Sequence, residues 1–383
     1  MATTYLTFTT GSAGNRLLWT WSGWVKKTDL TANGTLFFAG GSNSDYSKIL
    51  LSTNGALYIS EVGGGSTVWE VQTNRLFRDP SAYYHMVFVY DSAQSTASDR
   101  LKIYINGVQE TSFAVSSYPA QNRGAMWLAG GTDHRIGRDY VSQYFGGIIS
   151  DVNFSEGYAY GPETFGETDT DTGEWRIKDN PSFSLGTYGF TILKNGNTIT
   201  DQSTNSNNWS LGGGTLTNTK DCPSNVFATL NPLDGVISLG NSTFTYGNTR
   251  FNSETASNVT YATSTLGMVL GKFYFEAKLE TAADHNYIGI SDRPNPSLSG
   301  SYFGDDAYTY GYKSSNGYKK NNGSSSPYGD TYTTNDIVMC ALDLDNLKVY
   351  FGKNGTWQNS GDPTSGSTGT GAAFTITTPS STT

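Results

Sequence analysis

The stretch Leu101-Lys-Ile-Tyr-Ile-Asn-Gly-Val108 decides the fold. Leu101, Ile103 and Ile105 fall on one face of an extended strand, and Lys102 and Tyr104 on the other. That is the period-2 pattern of a half-buried strand. Asn106-Gly107 then supplies two residues that tolerate positive φ, so the strand turns back as a hairpin. The unit returns as Leu347-Lys-Val-Tyr-Phe-Gly-Lys-Asn-Gly-Thr-Trp357. Asp91 and Asp99 precede the first copy, Asp343 and Asp345 the second. The echo predicts one central hairpin in each of two β-sandwiches; it does not by itself establish duplication.

Composition agrees with that reading. A chain of 383 residues has room for about two to three domains. It holds 45 Gly and 25 Tyr, only 15% of its residues are charged, and Ser, Thr and Asn fill the gaps between apolar runs. Such usage suits short strands joined by turns, and no long segment keeps a helical period. The class is all-β, a sandwich or barrel.

The net charge of −9 argues against nucleic acid, which needs clustered Lys and Arg to displace counterions, and against docking on anionic lipid. Cys222 and Cys340 fall in different proposed domains and offer neither a disulfide framework nor zinc spacing. No apolar run approaches bilayer-spanning length. The start, Met-Ala-Thr-Thr-Tyr-Leu-Thr, is not patterned as a signal peptide, so synthesis in a cytoplasm is expected. Triplets such as Asn241-Ser-Thr are then chance in an Asn- and Thr-rich chain.

In chain order, residues 1–158 read as the first sandwich. Leu17–Val25 is a strand whose Trp19 and Trp21, with Trp24 as a further candidate, fill the space between sheets. Tyr84–Tyr90 is the most apolar strand and should be central. Residues 159–225 form an acidic Ser/Thr/Asn-rich connector, expected to pack on the first sandwich because Trp175, Phe183, Phe190 and Trp209 would otherwise stand in water. Within it, residues 201–208 and 211–217 read as turns. Residues 226–383 read as a second sandwich. Here Phe273, Phe275, Ala277 and Leu279 alternate against Lys272, Tyr274, Glu276 and Lys278.

Two resemblances follow from these motifs. Trp21-Ser-Gly-Trp-Val-Lys26, Asp79-Pro-Ser-Ala-Tyr-Tyr-His85, Leu101–Gly107, Ile136-Gly-Arg138 and Phe145-Gly-Gly-Ile-Ile-Ser-Asp-Val152 resemble laminin-G/concanavalin-A-like jelly rolls. Gly271-Lys-Phe-Tyr-Phe-Glu276, Tyr287-Ile-Gly-Ile-Ser291, Tyr308–Tyr312, Asp336–Asp343 and the Leu347–Trp357 hairpin resemble the SPRY (B30.2) domain. The first style, and the Cys222–Pro232 boundary, are similar to virion proteins of marine tailed phages. The SPRY pattern is followed by further strands in family members, whereas here Ala372-Ala-Phe-Thr-Ile376 gives way to a Ser/Thr tail. The expectation is that a longer natural chain or a partner completes the sandwich by edge addition.

Catalysis finds no support. His85, His134 and His285 sit in no recognisable Ser or Cys motif, and His85 reads as a structural residue at the entrance of an apolar strand. The acidic strand pattern of concanavalin-like hydrolases is missing, and Glu276-Ala-Lys-Leu-Glu280 has the wrong chemistry and spacing. Glu167-Thr-Asp169-Thr-Asp171-Thr-Gly173-Glu174 offers alternating oxygens that suit calcium, with Asp169 and Asp171 as candidate ligands; the alternative is a solvated acidic turn. A binding surface is expected among the Tyr-rich Gly/Ser loops of Ser291–Tyr332, carried by Tyr302, Asp306, Tyr318, Lys319 and Tyr328. The SPRY resemblance implies partner binding by loops at this position.

Together these features predict a non-enzymatic phage virion protein on the particle surface, a tail fibre or spike that binds host-surface glycan or protein. It would contact other virion proteins and work as a homo-oligomer, a trimer being favoured by the resemblance to phage fibres. The alternatives are a head fibre or capsid decoration protein of purely architectural role, and a concanavalin-like glycoside hydrolase.

Overall fold

The computed structural model describes residues 3–233, 242–253, 260–292 and 302–377. Among these the chain is all-β, with short 3-10 turns and no α-helix. It divides into two compact units: residues 1–232 with 244–251, and residues 233–243 with 252–383.

The first unit contains β1 (Tyr5–Thr9), β2 (Leu18–Lys27), β3 (Gly34–Gly40), β4 (Tyr46–Leu51), β5 (Ala56–Gly63), β6 (Ser66–Leu76), β7 (Tyr84–Asp91), β8 (Leu101–Ile105), β9 (Val108–Gln109), β10 (Phe113–Ser117), β11 (Asp133–Ile136) and β12 (Gly147–Glu156). The segment after β12 adds β13 (Gly166–Thr168), β14 (Trp175–Ile177), β15 (Phe190–Ile192) and β16 (Ser210–Gly213). Two sheets face each other, one in the order β10-β6-β5-β4-β3-β11-β1-β16 and the other β15-β12-β2-β7-β8-β9. Trp19, Trp21, Phe37, Ile49, Ile59, Trp69, Phe88, Ile103 and Trp127 fill the space between them.

Strand parity explains which tryptophans belong there. On β2 the odd positions point inward, so Trp19, Trp21 and Val25 join the core. A Cβ on Gly23 would lie 2.5 Å from the Trp21 ring, so glycine makes room for the indole. Trp24, on an even position, leaves the inter-sheet core for the opposite face and stacks on His85.

The 159–225 segment extends both sheets. β15 pairs with β12 at one sheet's edge, and β16 pairs with β1 at the other's. The strand Ser210–Gly213 falls where the sequence reads as turns. Edge pairing needs backbone groups rather than an apolar pattern, and Leu211 stays 44% exposed. Phe190 and Trp209 enter the core. Phe165 and Phe183 pack on Val87 and Val89, on the outward face of the second sheet. On that face Lys26 and Asp221 form a fully buried ion pair at 2.6 Å.

Asn106 and Gly107 adopt φ of 48° and 82°, and β8 and β9 close the hairpin. Asn354 and Gly355 repeat the turn at 48° and 85° in the second unit. β17 (Thr243–Thr245) and β18 (Arg250–Asn252) form a small ladder. The second unit proper carries β19 (Lys272–Lys278), β20 (Tyr287–Ser291), β21 (Thr309–Lys313), β22 (Tyr318–Asn321), β23 (Ser324–Pro327), β24 (Ile337–Asp343), β25 (Lys348–Lys353), β26 (Thr356–Trp357) and β27 (Phe374–Thr375). One sheet runs β19-β24-β25-β26, with β27 also pairing β25; the other runs β20-β21-β22-β23. Tyr310, Tyr312, Tyr328, Val338, Cys340, Val349 and Phe351 form its core. The apolar stretch near the end pairs with β25 through Val349–Phe374 and Lys348–Thr375, burying Ala373 and Ile376.

Candidate functional site

The two outward faces of the first unit differ. That of the β2–β7 sheet is closed by the segment after β12. The register of the other sheet lines up Thr7, Arg135, Phe38, Lys48, Ser60 and Glu70 in one row across β1, β11, β3, β4, β5 and β6. An outward row is expected to carry polar side chains. This one carries an aromatic ring between two cations.

The loop after β11 folds over this row. Asp139 holds its shape, its Oδ1 accepting the N–H groups of Val141 (3.1 Å), Ser142 (3.0 Å) and Gln143 (2.9 Å). Phe145 anchors the far end in the core. Tyr140 is thereby held 41% exposed. The Arg135 guanidinium lies 5.7 Å from the Tyr5 ring, 5.8 Å from Phe38 and 5.3 Å from Tyr140. Arg138 lies 4.9 Å from both Tyr5 and Tyr144. Cations and rings therefore alternate as Tyr144, Arg138, Tyr5, Arg135, Tyr140. Beside Tyr140 a cavity of about 190 Å³ opens, lined by Phe38, Asn43, Tyr46, Lys48, Asp139 and Gln143 among others.

Lys48 Nζ donates to Gln143 Oε1 at 3.1 Å and stands 4.0 Å from Asp139 Oδ2. Burial pulls the Lys48 ammonium below the usual lysine range, against the pull of Asp139 and Glu70. Burial likewise raises the Tyr46 phenol, so the ring presents a neutral hydroxyl. The cavity thus combines flat rings with a fixed donor and a fixed acceptor. Chemically, such a combination offers aromatic carbon to an apolar face and a polar pair to hydroxyl groups.

The residues expected from sequence do not assemble into one surface. Tyr302 is 42% exposed and packs on His285 at 5.0 Å, with Lys320 Nζ 5.4 Å from its ring. Asp306 Oδ1 is occupied by the N–H groups of Tyr308 and Thr309, both at 2.8 Å. Tyr318 is half-buried on β22, where it pairs with Pro327. Lys319 Nζ donates to the Ala373 carbonyl at 2.5 Å and lies 5.8 Å from the Tyr328 ring. Tyr328 is buried, its hydroxyl donating to the Gly371 carbonyl at 3.2 Å and accepting from Phe351 N at 3.2 Å. Lys319 and Tyr328 fasten the Ala373–Ile376 segment to the core, and Tyr328 offers no face to a ligand.

Asp169 and Asp171 sit in the β13–β14 turn. Asp169 Oδ1 accepts the N–H groups of Asp171 and Thr172 at 2.9 Å, and its Oδ2 pairs with Arg176 at 2.8 Å. Those hydrogen bonds hold its carboxyl below the usual range. A calcium ion there would compete with Arg176. Among the described residues no three His, Cys, Asp or Glu side chains converge as a metal set.

The signal missed in the sequence was Arg135-Ile-Gly-Arg-Asp-Tyr140, in which cations and a ring alternate just after a strand.

With this geometry in hand, the matching family models agree with the architecture. The family described as the concanavalin A-like lectin/glucanases superfamily matches residues 1–160, and the SPRY domain matches residues 272–375. Ran-binding protein 9 of Danio rerio is 32% identical over 95 residues, covering 24% of this chain. The chain spans 16% of that relative's length. A putative carbohydrate binding protein from Bacteroides ovatus is 15% identical, with a TM-score of 0.33 over 57% of this chain and 59% of its own. Domains LG4-5 of the mouse laminin α1 chain give 10% identity and a TM-score of 0.32 over 93% of this chain and 74% of theirs.

Proposed function

We propose that this protein is a non-enzymatic particle-surface protein of a tailed phage, a tail fibre or spike, that binds glycan or protein on the host surface. The observation that carries the reading is the outward side of the β3–β4–β11 sheet under the loop after β11, where Tyr46, Tyr140, Lys48 and Asp139 surround a small cavity. The lectin/glucanase description of the matching family supports a saccharide as ligand. The match of the second unit to the SPRY domain supports a protein contact there, for which Tyr302 offers an exposed ring. The virion assignment rests on the sequence resemblance to phage proteins, as do the homotrimer and the contacts with other virion proteins.

The test is a glycan array with the full chain, together with antibody labelling of intact particles. Capture of saccharides, lost in Tyr140→Ala, with label on the tail is the expected result. Label on the head with no capture would replace this reading with a head fibre or decoration protein. Release of reducing sugar from a bound glycan would replace it with a hydrolase.

A further inference from the structure

We infer that Arg138 is an anion-receiving residue and that the saccharide bound at the loop after β11 carries a carboxylate; this rests on the glycan-binding reading above. Each cation there differs in what already satisfies it. Arg135 Nε meets Asp133 Oδ2 at 2.7 Å, and its Nη1 donates to the Asp139 carbonyl at 2.8 Å. Lys48 has Gln143 and the Asp139 carboxylate. Arg138 donates from Nη2 to the Val141 carbonyl at 2.8 Å, and its buried Nε has no acceptor. Among the described residues no carboxylate lies within ion-pair distance of it.

A guanidinium in that state is costly to keep unless something uses it. It is also already immobilised. The Tyr5 and Tyr144 rings each lie 4.9 Å from it and pack edge-to-face against one another, so less side-chain entropy remains to be lost when a ligand arrives. Arginine presents its donors as a planar fork that matches a carboxylate. The neighbouring exposed ring, Tyr140, suits the face of a pyranose. A ring stacked there, with an acid group reaching along the ladder to Arg138, uses both features at once. Arg138 and Tyr140 flank Asp139, whose carboxylate fixes the turn that follows them by accepting the N–H groups of Val141, Ser142 and Gln143.

The experiment is an array divided into carboxylate-bearing and neutral saccharides, followed by titration of the strongest acidic hit against its carboxyl-reduced counterpart. The full chain is used as wild type, Arg138→Gln and Arg138→Lys, with melting temperatures recorded alongside. Removing a charge-assisted contact should weaken binding about tenfold or more, both on reducing the ligand and in Arg138→Gln, with melting unchanged. Arg138→Lys should recover part of the loss, and wild-type binding should weaken as salt rises. Should Arg138→Gln fail to fold, the lysine variant and the salt titration carry the test, and salt-independent binding overturns the assignment. Capture of neutral saccharides only, a preference for sulfated ones, or undiminished binding by Arg138→Gln also overturns it, while leaving the glycan-binding reading intact. Capture of no saccharide removes both.

Discussion

The same Asn-Gly turn closes a hairpin in each unit, but the two turns have different neighbours. Asn106-Gly107 and Asn354-Gly355 share their φ angles, 48° and 82° against 48° and 85°. A Cβ added at Gly107 would lie 2.6 Å from the Trp175 ring, whereas at Gly355 nothing lies within 4 Å. Local sequence therefore sets the turn, and the chain that later lies over it sets what the turn tolerates. In the first unit that covering chain is the 159–225 segment. It brings buried polar groups with it, so the comparison extends to chemistry.

The largest expected effect tests the cover directly. Alanine at either glycine is strained at positive φ, by about 1 kcal/mol. Gly107→Ala must also displace Trp175, whose indole Nε1 donates to His85 Nδ1 at 3.0 Å. Overpacking of that kind adds about 1–3 kcal/mol. Calorimetry of the full chain should show Gly107→Ala destabilising by clearly more than Gly355→Ala. Equal losses would mean that the cover is soft.

Acid should find the same cover. His85 lies between the Trp24 and Trp175 rings. Trp175 can only donate, so Nδ1 accepts and Nε2 carries the proton toward Ser22 Oγ at 2.8 Å. His134 is held the other way round, Nδ1 donating to the Thr132 carbonyl and Nε2 accepting from Leu128 N. Both rings are thus neutral, and burial pushes them down to about 3 and about 4. The unfolded chain binds these protons near pH 6.5, which the folded unit refuses. The stability they contribute is therefore complete above that pH and is lost as pH falls toward 4, by about 1.4 kcal/mol per unit for each ring. Melting followed from pH 7 to pH 4.5 should show the first unit weakening; a flat profile would contradict the buried neutral rings.

Asp151 opposes this trend and supplies the next test. It is buried with an unpartnered Oδ1, and burial raises its carboxyl to about 6. A carboxyl raised on folding costs stability above its unfolded range, and falling pH through 6 relieves that cost. Its φ of 48° suits asparagine as well as aspartate. Asp151→Asn should then stabilise the protein at pH 7 by about 1 kcal/mol or more, with the gain vanishing near pH 4. Destabilisation at pH 7 would mean that the charge has a use.

How much was legible in the sequence follows from what each residue's placement depends on. The paired hairpins, the central Tyr84–Tyr90 strand and the alternation of Lys272–Lys278 were readable, because period-2 burial and Asn-Gly turns are local. Trp24 was not, since its parity matters only once a second layer covers the outward face. The ladder at Tyr5, Arg135, Arg138 and Tyr140 was only partly legible: Arg135–Tyr140 is a local run, but Tyr5 joins it through the pairing of β1 with β11, from more than a hundred positions away. Tyr328 misled for the opposite reason: a tyrosine amid Gly, Ser and Pro reads as exposed until β25 and the Ala373–Ile376 segment close over it.

The smallest expected effect separates Tyr302 from Tyr328, which look alike in sequence. Tyr328 gives the second unit a buried hydroxyl with partners on Gly371 and Phe351, so Tyr328→Phe strands those groups at a cost of about 1 kcal/mol or more. Tyr302 lies on the surface against His285, and its backbone N–H donates to Asp305 Oδ2 at 2.6 Å, a contact that any residue there can make. Tyr302→Ala should therefore shift melting by less than about 0.5 kcal/mol. The pair sharpens the comparison between units, because in the first unit the covering chain buries aromatics from outside the sandwich, whereas in the second the sandwich buries its own. A Tyr302→Ala loss as large as that of Tyr328→Phe would place Tyr302 in the second unit's core and withdraw it as a contact residue.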